Sequence, residues 1–477
     1  MMKIPEKVFS LPVLKKIREV SDELNMPVYM VGGYVRDRLL KRLSKDVDFL
    51  VIGSGVDFAT RLAEVMSLQD KLSVFRNFGT AHIKYRNYDL EFVGARKESY
   101  ARESRKPVVE EGSLEEDLKR RDFSINALAI SLNADDFGTM VDLFGGYVDM
   151  KLEVLRTPQD PQITFSDDPL RMMRAIRFAS QLGFVLSEET YKAIVDNKDR
   201  ISIISQERIA DELNKIILSP IPSVGFRLLE ETGLLHIVFP EMVQLKGVQT
   251  IDQKSHKDNF YHTLQVLDNL SKATDDLWLR WSAILHDIAK PATQRFDSEQ
   301  GWTFHGHEVV GSRMVPNIFR RLKLPLNEKM KYVQKLVLLH LRPIALTHEV
   351  TDAAIRRLIV DAGDSLEDLI MLCRADITSK NPTKVNRYLQ RFDDVWRKIQ
   401  QVEEKDRLRN WKPPVTGEMI MEAFDIGPCR DVGIIKEYIS EAILNGDIPN
   451  EIGPARDLML KKGKSMGYII PKNFRFD

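Results

Sequence analysis

The chain has 477 residues, 43% hydrophobic and 29% charged, with 70 basic and 70 acidic side chains and a formal net charge of zero. That length allows roughly three or four domains with cores of their own, and the composition is that of a soluble globular chain rather than a fibrous or disordered one. A neutral balance excludes a nonspecific basic coat for nucleic acid, so any RNA contact must come from local patches.

The two cysteines, Cys373 and Cys429, are too few and too far apart for a disulfide framework or a cysteine zinc site. No apolar run approaches the length of a bilayer span, and the opening MMKIPEKVFSLPVLKKI interrupts its apolar positions with charges and prolines. A reducing, cytoplasmic location with no membrane partner is expected. Residues 1–27 read as one amphipathic helix, with Val13, Leu14, Ile17, Val20 and Leu24 at helical spacing, ending before Pro27.

The stretch VYMVGGYVRDRLLKRLSKDVDFLVI, from Val28 to Ile52, reads as a strand, a glycine turn, a short helix and a second strand. Gly32 and Gly33 open the helix, so backbone N–H groups with no side chain in the way suit a phosphate, and Arg36 lies one turn on. In the second strand Asp46 and Asp48 flank Val47, and alternation sends both carboxylates to one face. Paired hard-oxygen ligands suit Mg²⁺, and two such ions lower the pKa of an attacking hydroxyl while neutralising a leaving pyrophosphate. A lone Gly-Gly or Asp-x-Asp is more often a turn or a solvated strand face. Joined in this order, VGGYVRD and KDVDF resemble the polymerase-β-type nucleotidyltransferases, and more narrowly the class II tRNA nucleotidyltransferase (CCA-adding) and bacterial poly(A) polymerase family.

DFATRLAEVM is expected as a helix, and KLSVFRNFGTAHIKYRNYDLEFVGAR as two or three strands. One of these strands carries Glu91, in the place of a third acidic residue common in the polymerase-β pattern or as an ordinary salt-bridged glutamate. Tyr100–Gly112 is polar and reads as a mobile loop, and Glu115–Lys119 as an exposed charged helix. RRDFSINALAI then matches the family's second signature. The resemblance implies that Arg121 and Asp122 approach the ribose and phosphates of a nucleotide, with Asn126 in support. VDLFGGYVDMK reads as a strand, a structural Gly-Gly turn and a helix.

In FSDDPLRMMRAIRFASQLGF, Arg171, Arg174 and Arg177 repeat at a spacing of three, a basic stripe opposite an apolar face of Leu170, Met173, Ile176 and Leu182. Like charges so stacked want an anionic or planar partner. The match to the family's E-D-x-x-R motif implies that Asp168 and Arg171 read the Watson–Crick edge of the incoming base. Arg174 and Arg177 would then lie near the phosphates or buttress that pair. Asp167 stands where the motif has Glu. The following helices look like the family's neck, in which His236 reads as an ordinary core or interface residue.

Of nine histidines, six fall between His256 and His340. The order His262, His286-Asp287, His307, His340, Asp376 gathers imidazoles and carboxylates from successive helices, the ligand types of a transition-metal site. It resembles the HD-domain phosphohydrolases. That resemblance implies His262, His286, Asp287 and Asp376 as primary ligands, His307 and His340 as holders of a second ion, and Lys290 as a phosphate contact. Residues 391–410 read as a charged helix, the PPVTG turn follows, and RDLMLKKGKSMG is locally basic, fitting an RNA backbone.

The expected fold is α+β: a small mixed-sheet nucleotidyltransferase head (1–155), a helical neck with the base-selecting motif (156–235), an HD body (236–390) and a helical RNA-binding tail (391–477). The resemblance implies an enzyme that adds CCA to tRNA from CTP and ATP with Mg²⁺ at the head and a divalent transition metal at the HD site. A poly(A) polymerase or a partial A- or CC-adding enzyme on the same scaffold is the alternative, and an HD phosphohydrolase with the head as an RNA-binding module a further one.

Overall fold

Pro5 and Pro12 break the N-terminal stretch. In the computed structural model, β1 (Met2–Lys3), α1 (Glu6–Phe9) and α2 (Leu14–Leu24) stand in place of the single helix expected over 1–27. Proline supplies no N–H and fits a helix best at its start, and here each one marks a new beginning. The structure describes residues 2–76, 79–99, 108–251, 254–346, 351–379, 381–406 and 411–471. It forms two compact units, residues 1–243 and 244–477.

In the first unit the chain continues through β2 (Val28–Val31), α3 (Gly32–Leu39), β3 (Asp46–Val51), α4 (Gly55–Val65), β4 (Leu72–Phe75), β5 (Thr80–Tyr85) and β6 (Tyr88–Gly94). A hairpin of β7 (Arg96–Ser99) and β8 (Val108–Glu111) follows, then α5 (Leu114–Lys119), β9 (Ala129–Ser131) and β10 (Thr139–Val141). Within the loop expected over 100–112, residues 100–107 lie outside the described ones, and Val108–Glu111 is a strand paired with β7.

Eight strands make one mixed sheet in the order β1-β10-β9-β2-β3-β6-β5-β4. All its pairs are antiparallel except β3 with β6. That parallel pair is the centre of the design. On one face Phe49 of β3 stacks on Phe92 of β6 at 4.8 Å, and Phe58 of α4 stacks on Phe92 at 5.5 Å. On the other face Leu50 packs with Val31, Leu118, Ala127 and Ala129. β3 is therefore apolar on both sides at its end and acidic only at its start, where Asp46 is exposed and Asp48 half-buried.

α5 differs from the exposed helix expected. A capping box of Ser113 and Glu116 opens it, but Asp117 and Leu118 are fully buried. After α6 (Gly146–Lys151) and β11 (Val154–Leu155) come α7 (Pro161–Asp167), α8 (Leu170–Leu182), β12 (Val185–Leu186), α9 (Glu188–Asn197) and α10 (Gln206–Ile217). α10 and the helix Pro222–Glu231 pack on α8. As a result α8 is buried nearly all round, with Arg171 and Arg177 each 8% exposed, rather than divided into a wet and a dry face. His236, on the helix Leu234–Val238, is exposed rather than in the core.

The second unit is helical. Helices Asn259–Ser271, Leu277–Leu285, His307–Arg321, Glu328–Leu339 and Leu366–Asp376 carry the histidine-rich region. The helix Pro382–Asp406 runs unbroken through residues 390 and 391. Helices Gly417–Phe424, Arg430–Asn445 and Ile452–Ser465 close on a core of Phe424, Ile435, Ile439 and Met459. Among the described residues no helix is long and apolar enough to cross a membrane.

Phe92 is fully buried between two other rings. Phe92→Ala is expected to cost about 3–5 kcal/mol, read in urea as a lower midpoint for the transition of the first unit.

Candidate functional site

Four segments far apart in sequence meet at one cleft of about 540 Å³ in the first unit, lined by Gly33, Arg36, Asp48, Arg121, Asp122, Asn126, Asp168, Arg171, Arg174 and Arg177 among others. Asp46 and Gly32 stand beside this lining without being part of it. Gly32 has φ +74°, and a Cβ there would lie 3.0 Å from both Arg121 Nη1 and Asp48 Oδ2. Only glycine fits the backbone and leaves those two groups room to converge.

The parallel register sets Asp48 beside Glu91 and Asp46 beside Asp89, and Glu91 lies 3.7 Å from His82 on β5. Burial pushes the Asp48 carboxyl up to about 6, helped by the charges of Glu91 and Asp46 and opposed by Arg121. A carboxylate raised in this way, with two more beside it, is a donor set that a hard divalent cation relieves.

Behind the carboxylates the arginines are tied in place. Asp122 accepts from Arg174 Nε at 2.8 Å and Nη2 at 2.5 Å, and from Asn126 Nδ2 at 2.9 Å, while Arg36 Nη1 donates to Asn126 Oδ1 at 2.8 Å. Burial opposes ionisation of Asp122, yet Arg174 and these hydrogen bonds hold it well below the usual carboxylate range. Arg174 is thus a buttress of Asp122. Arg177 pairs with buried Glu212 at 3.3 Å, and burial pushes its guanidinium down to about 10 against the pull of that glutamate. Arg36, Arg174 and Arg177 also lie 4.9, 5.6 and 4.2 Å from the Phe178 ring, stacking of the kind guanidinium planes favour. Asp168 Oδ1 accepts from Leu170 N at 3.2 Å, and Arg171 Nη2 donates to the Arg120 carbonyl at 2.7 Å.

The second unit brings together every histidine and aspartate singled out for the second site. Nε2 of His262 lies 2.9 Å from Asp376 Oδ1 and 3.4 Å from Asp287 Oδ2; Nε2 of His286 lies 3.2 Å from Asp287 Oδ2. His307 and His340 meet the other oxygen of Asp287 at 3.2 and 3.9 Å. The six form two groups, His262, His286 and Asp376 and then Asp287, His307 and His340, whose ligand atoms in each group lie within 4.8 Å of one another. Nδ1 of His286, His307 and His340 donates to the carbonyls of Ala283, Phe304 and Val337 at 2.7 Å, which turns each Nε2 inward, those of His307 and His340 meeting at 3.3 Å. His262 Nδ1 meets Thr378 Oγ1 at 2.8 Å. Burial opposes charge on His286, but Asp287 and Asp376 push it up to about 10, whereas burial and His286 push His340 down to about 4. Among the described residues the buried Nε2 of His286 finds no well-aligned hydrogen bond, its carboxylate neighbours Asp287 and Asp376 standing at 3.2 and 3.7 Å. This centre calls for a cation, and its mixed nitrogen and oxygen donors fit a transition metal. Lys290 Nζ is 2.6 Å from Asp287 Oδ2; His305 is exposed outside the cluster.

Sequence reading missed Asp117, Arg120, Phe178, Gln181, Arg208 and Glu212. Phe178 was open to discovery, as an aromatic inside an arginine stripe. Asp117 and Glu212 sit in charged strings whose periodicity gives no sign of burial.

Residues 28–156 match the Poly A polymerase head domain, 183–245 the "Probable RNA and SrmB- binding site of polymerase A" and 259–380 the HD domain. The chain is 31% identical over 379 residues to the Multifunctional CCA protein of Shewanella frigidimarina, covering 76% of this chain and 87% of that protein. It is 47% identical over 166 residues to the A-adding tRNA nucleotidyltransferase of Aquifex aeolicus, a match spanning 35% of this chain and only 20% of that protein's length. The solved Bacillus stearothermophilus CCA-adding enzyme in complex with CTP has the same fold, with a TM-score of 0.69 at 23% identity over 96% of this chain and 99% of that one.

Only an ionised carboxylate ligates a cation. With Asp48 raised to about 6, divalent-cation affinity at the head is expected to rise with pH up to that value and level off above it, falling roughly tenfold per unit below it. Calorimetric Mg²⁺ titrations at about pH 5 and about pH 7.5 check this, and the dependence should vanish in Asp48→Asn.

Proposed function

The chain belongs to the tRNA nucleotidyltransferase family, and from that premise we propose that it adds CCA to the 3′ end of tRNA from CTP and ATP without a nucleic-acid template. The observation that carries this is the meeting of the Asp48, Arg121–Asp122 and Asp168–Arg171 segments in one cleft.

In this reading Gly32, Gly33 and Arg36 receive the triphosphate, with backbone N–H groups at the start of α3 facing its charge. Asp46 and Asp48 hold Mg²⁺, and Glu91 shares their face. Bound there, the metal ions supply acidification of the attacking hydroxyl and compensation of pyrophosphate charge. Arg121 and Asp122 orient ribose and phosphates, Asp122 kept ionised and still by Arg174 and Asn126. The terminal tRNA hydroxyl attacks the α-phosphorus, and the bond to pyrophosphate breaks.

Asp168 and Arg171 replace the template. Cytosine and adenine each offer an exocyclic amine beside an acceptor ring nitrogen, so a carboxylate and a guanidinium fit both. Uracil turns a carbonyl toward the carboxylate and is rejected. The anchoring of Arg171 Nη2 to a backbone carbonyl supports a rigid reader. A cytoplasmic location is part of the same reading, supported by two free cysteines, Cys373 and Cys429.

Gel-resolved extension of tRNA lacking its 3′ end tests the proposal. Two C residues, one A and then arrest are expected. A ladder with ATP alone would mean poly(A) polymerase, and addition of A only to a substrate already ending in CC would mean an A-adding enzyme. Asp46→Ala or Asp48→Ala should abolish extension, by about 10³-fold or more, with an unchanged melting temperature.

A second activity is favoured by the four anchored imidazoles of the second unit. We propose that this centre hydrolyses phosphoesters with a transition metal held by His262, His286, Asp287 and Asp376, His307 and His340 serving a second ion and Lys290 the phosphate. Release of phosphate from a terminal phosphate ester, or opening of a cyclic phosphate to the monoester, should be lost in His286→Ala and kept in Asp46→Ala.

A further inference from the structure

Arg121 stands near the Asp48 carboxylate: a Cβ on Gly32 would lie 3.0 Å from both its Nη1 and Asp48 Oδ2. A guanidinium on a flexible stem does not hold such a place unaided, since every productive rotamer competes with many others. Its other edge is therefore the informative one. Nε and Nη2 of Arg121 donate to Asp117 Oδ2 at 3.2 and 2.9 Å, a two-point grip that leaves Nη1 directed at the cleft.

The second oxygen of Asp117 is engaged as well. Asp117 Oδ1 accepts from Arg120 Nε at 3.0 Å and from Arg120 Nη2. The carbonyl of that same Arg120 accepts from Arg171 Nη2 at 2.7 Å. One carboxylate, fully buried on the short capped helix α5, thus stands behind an arginine on the phosphate side and, through one residue of backbone, an arginine on the base side.

We infer that Asp117 is a positioning residue for nucleotide binding, holding Arg121 so that its free edge meets the triphosphate and steadying Arg120 as the seat of Arg171. Asp117 itself lies outside the cleft lining and touches no substrate. The division of the carboxylate matters here: each of its oxygens takes two N–H groups from one guanidinium, Oδ2 from Arg121 and Oδ1 from Arg120, which a neutral amide offering one acceptor oxygen cannot do for two arginines at once. The inference rests on the nucleotidyltransferase reading for the identity of the ligand.

Calorimetric binding of CTP and of ATP to the full chain tests it, on wild type, Asp117→Asn, Arg121→Ala and the double variant, each first checked for a cooperative melt. Asp117→Asn should weaken both nucleotides about tenfold, and in the Arg121→Ala background the same exchange should cost only about threefold, because the route through Arg120 and Arg171 alone then remains. If Asp117→Asn melts early, Asp117→Glu, which keeps the charge and shifts the fork, is put through the same cycle with the same expectation. A folded variant that binds like wild type, or one whose loss is undiminished without Arg121, overturns the inference. Extension of tRNA by wild type is scored separately: a chain that binds nucleotides with this coupling but extends nothing would sink the CCA reading and leave the role of Asp117 standing.

Discussion

Seven arginines line one cleft in the first unit, and that concentration of like charge is the constraint on which the site depends. Such a cluster holds together only where each guanidinium is tied to a carboxylate, a carbonyl or a ring. Buried carboxylates do most of this: Asp122 for Arg174, Glu212 for Arg177 and Asp117 for Arg120 and Arg121. Removing one partner of a buried ion pair leaves an uncompensated charge, so these acids are as much a part of the site as the arginines they serve. The cleft is preorganised as a result: its cations are already desolvated and oriented before any anion arrives.

The sheet solves a related problem for the acidic side. Asp46, Asp48 and Glu91 share a face that turns apolar within two residues, at Leu50, where the core of the unit begins. A strand at the centre of a mixed sheet is held by neighbours on both edges, so its first residues present their carboxylates from a fixed platform rather than from a loop. The parallel register of β3 and β6 then adds Glu91 to the pair, and the raised Asp48 carboxyl follows from that crowding and from burial.

The two metal-type centres differ in donor chemistry. The head offers only carboxylate oxygens, suited to hard ions that exchange with substrate, whereas the second unit offers four imidazoles pinned through Nδ1, the buried Asp287 and the half-buried Asp376. For His286, His307 and His340 the pinning carbonyls come from residues three positions earlier, a local device that does not wait for the rest of the fold, whereas His262 is held by Thr378 and depends on it.

Local pattern was enough to read the elements whose chemistry lies in neighbouring residues. The Gly-Gly turn into a helix, the Asp46–Asp48 strand, the α+β head and the helical second unit all follow from short-range rules, because alternation, glycine conformation and helix periodicity act over a few residues. Sequence order also named the histidines and aspartates that gather in the second unit and set His307 and His340 apart, though it did not show that Asp287 stands between the two groups, one oxygen toward each. Where the reading departed from the structure, a long-range contact was the cause. α8 looked two-faced by periodicity, yet helices of the neck pack on it and leave it buried nearly all round, and α5 looked exposed, yet Asp117 turns inward to two arginines. Burial is a property of what packs against a segment, which may come from any distance along the chain, so the amino-acid sequence alone determined which groups were on offer, and only tertiary structure decided which carboxylates would be buried as counter-charges and which left to face a ligand.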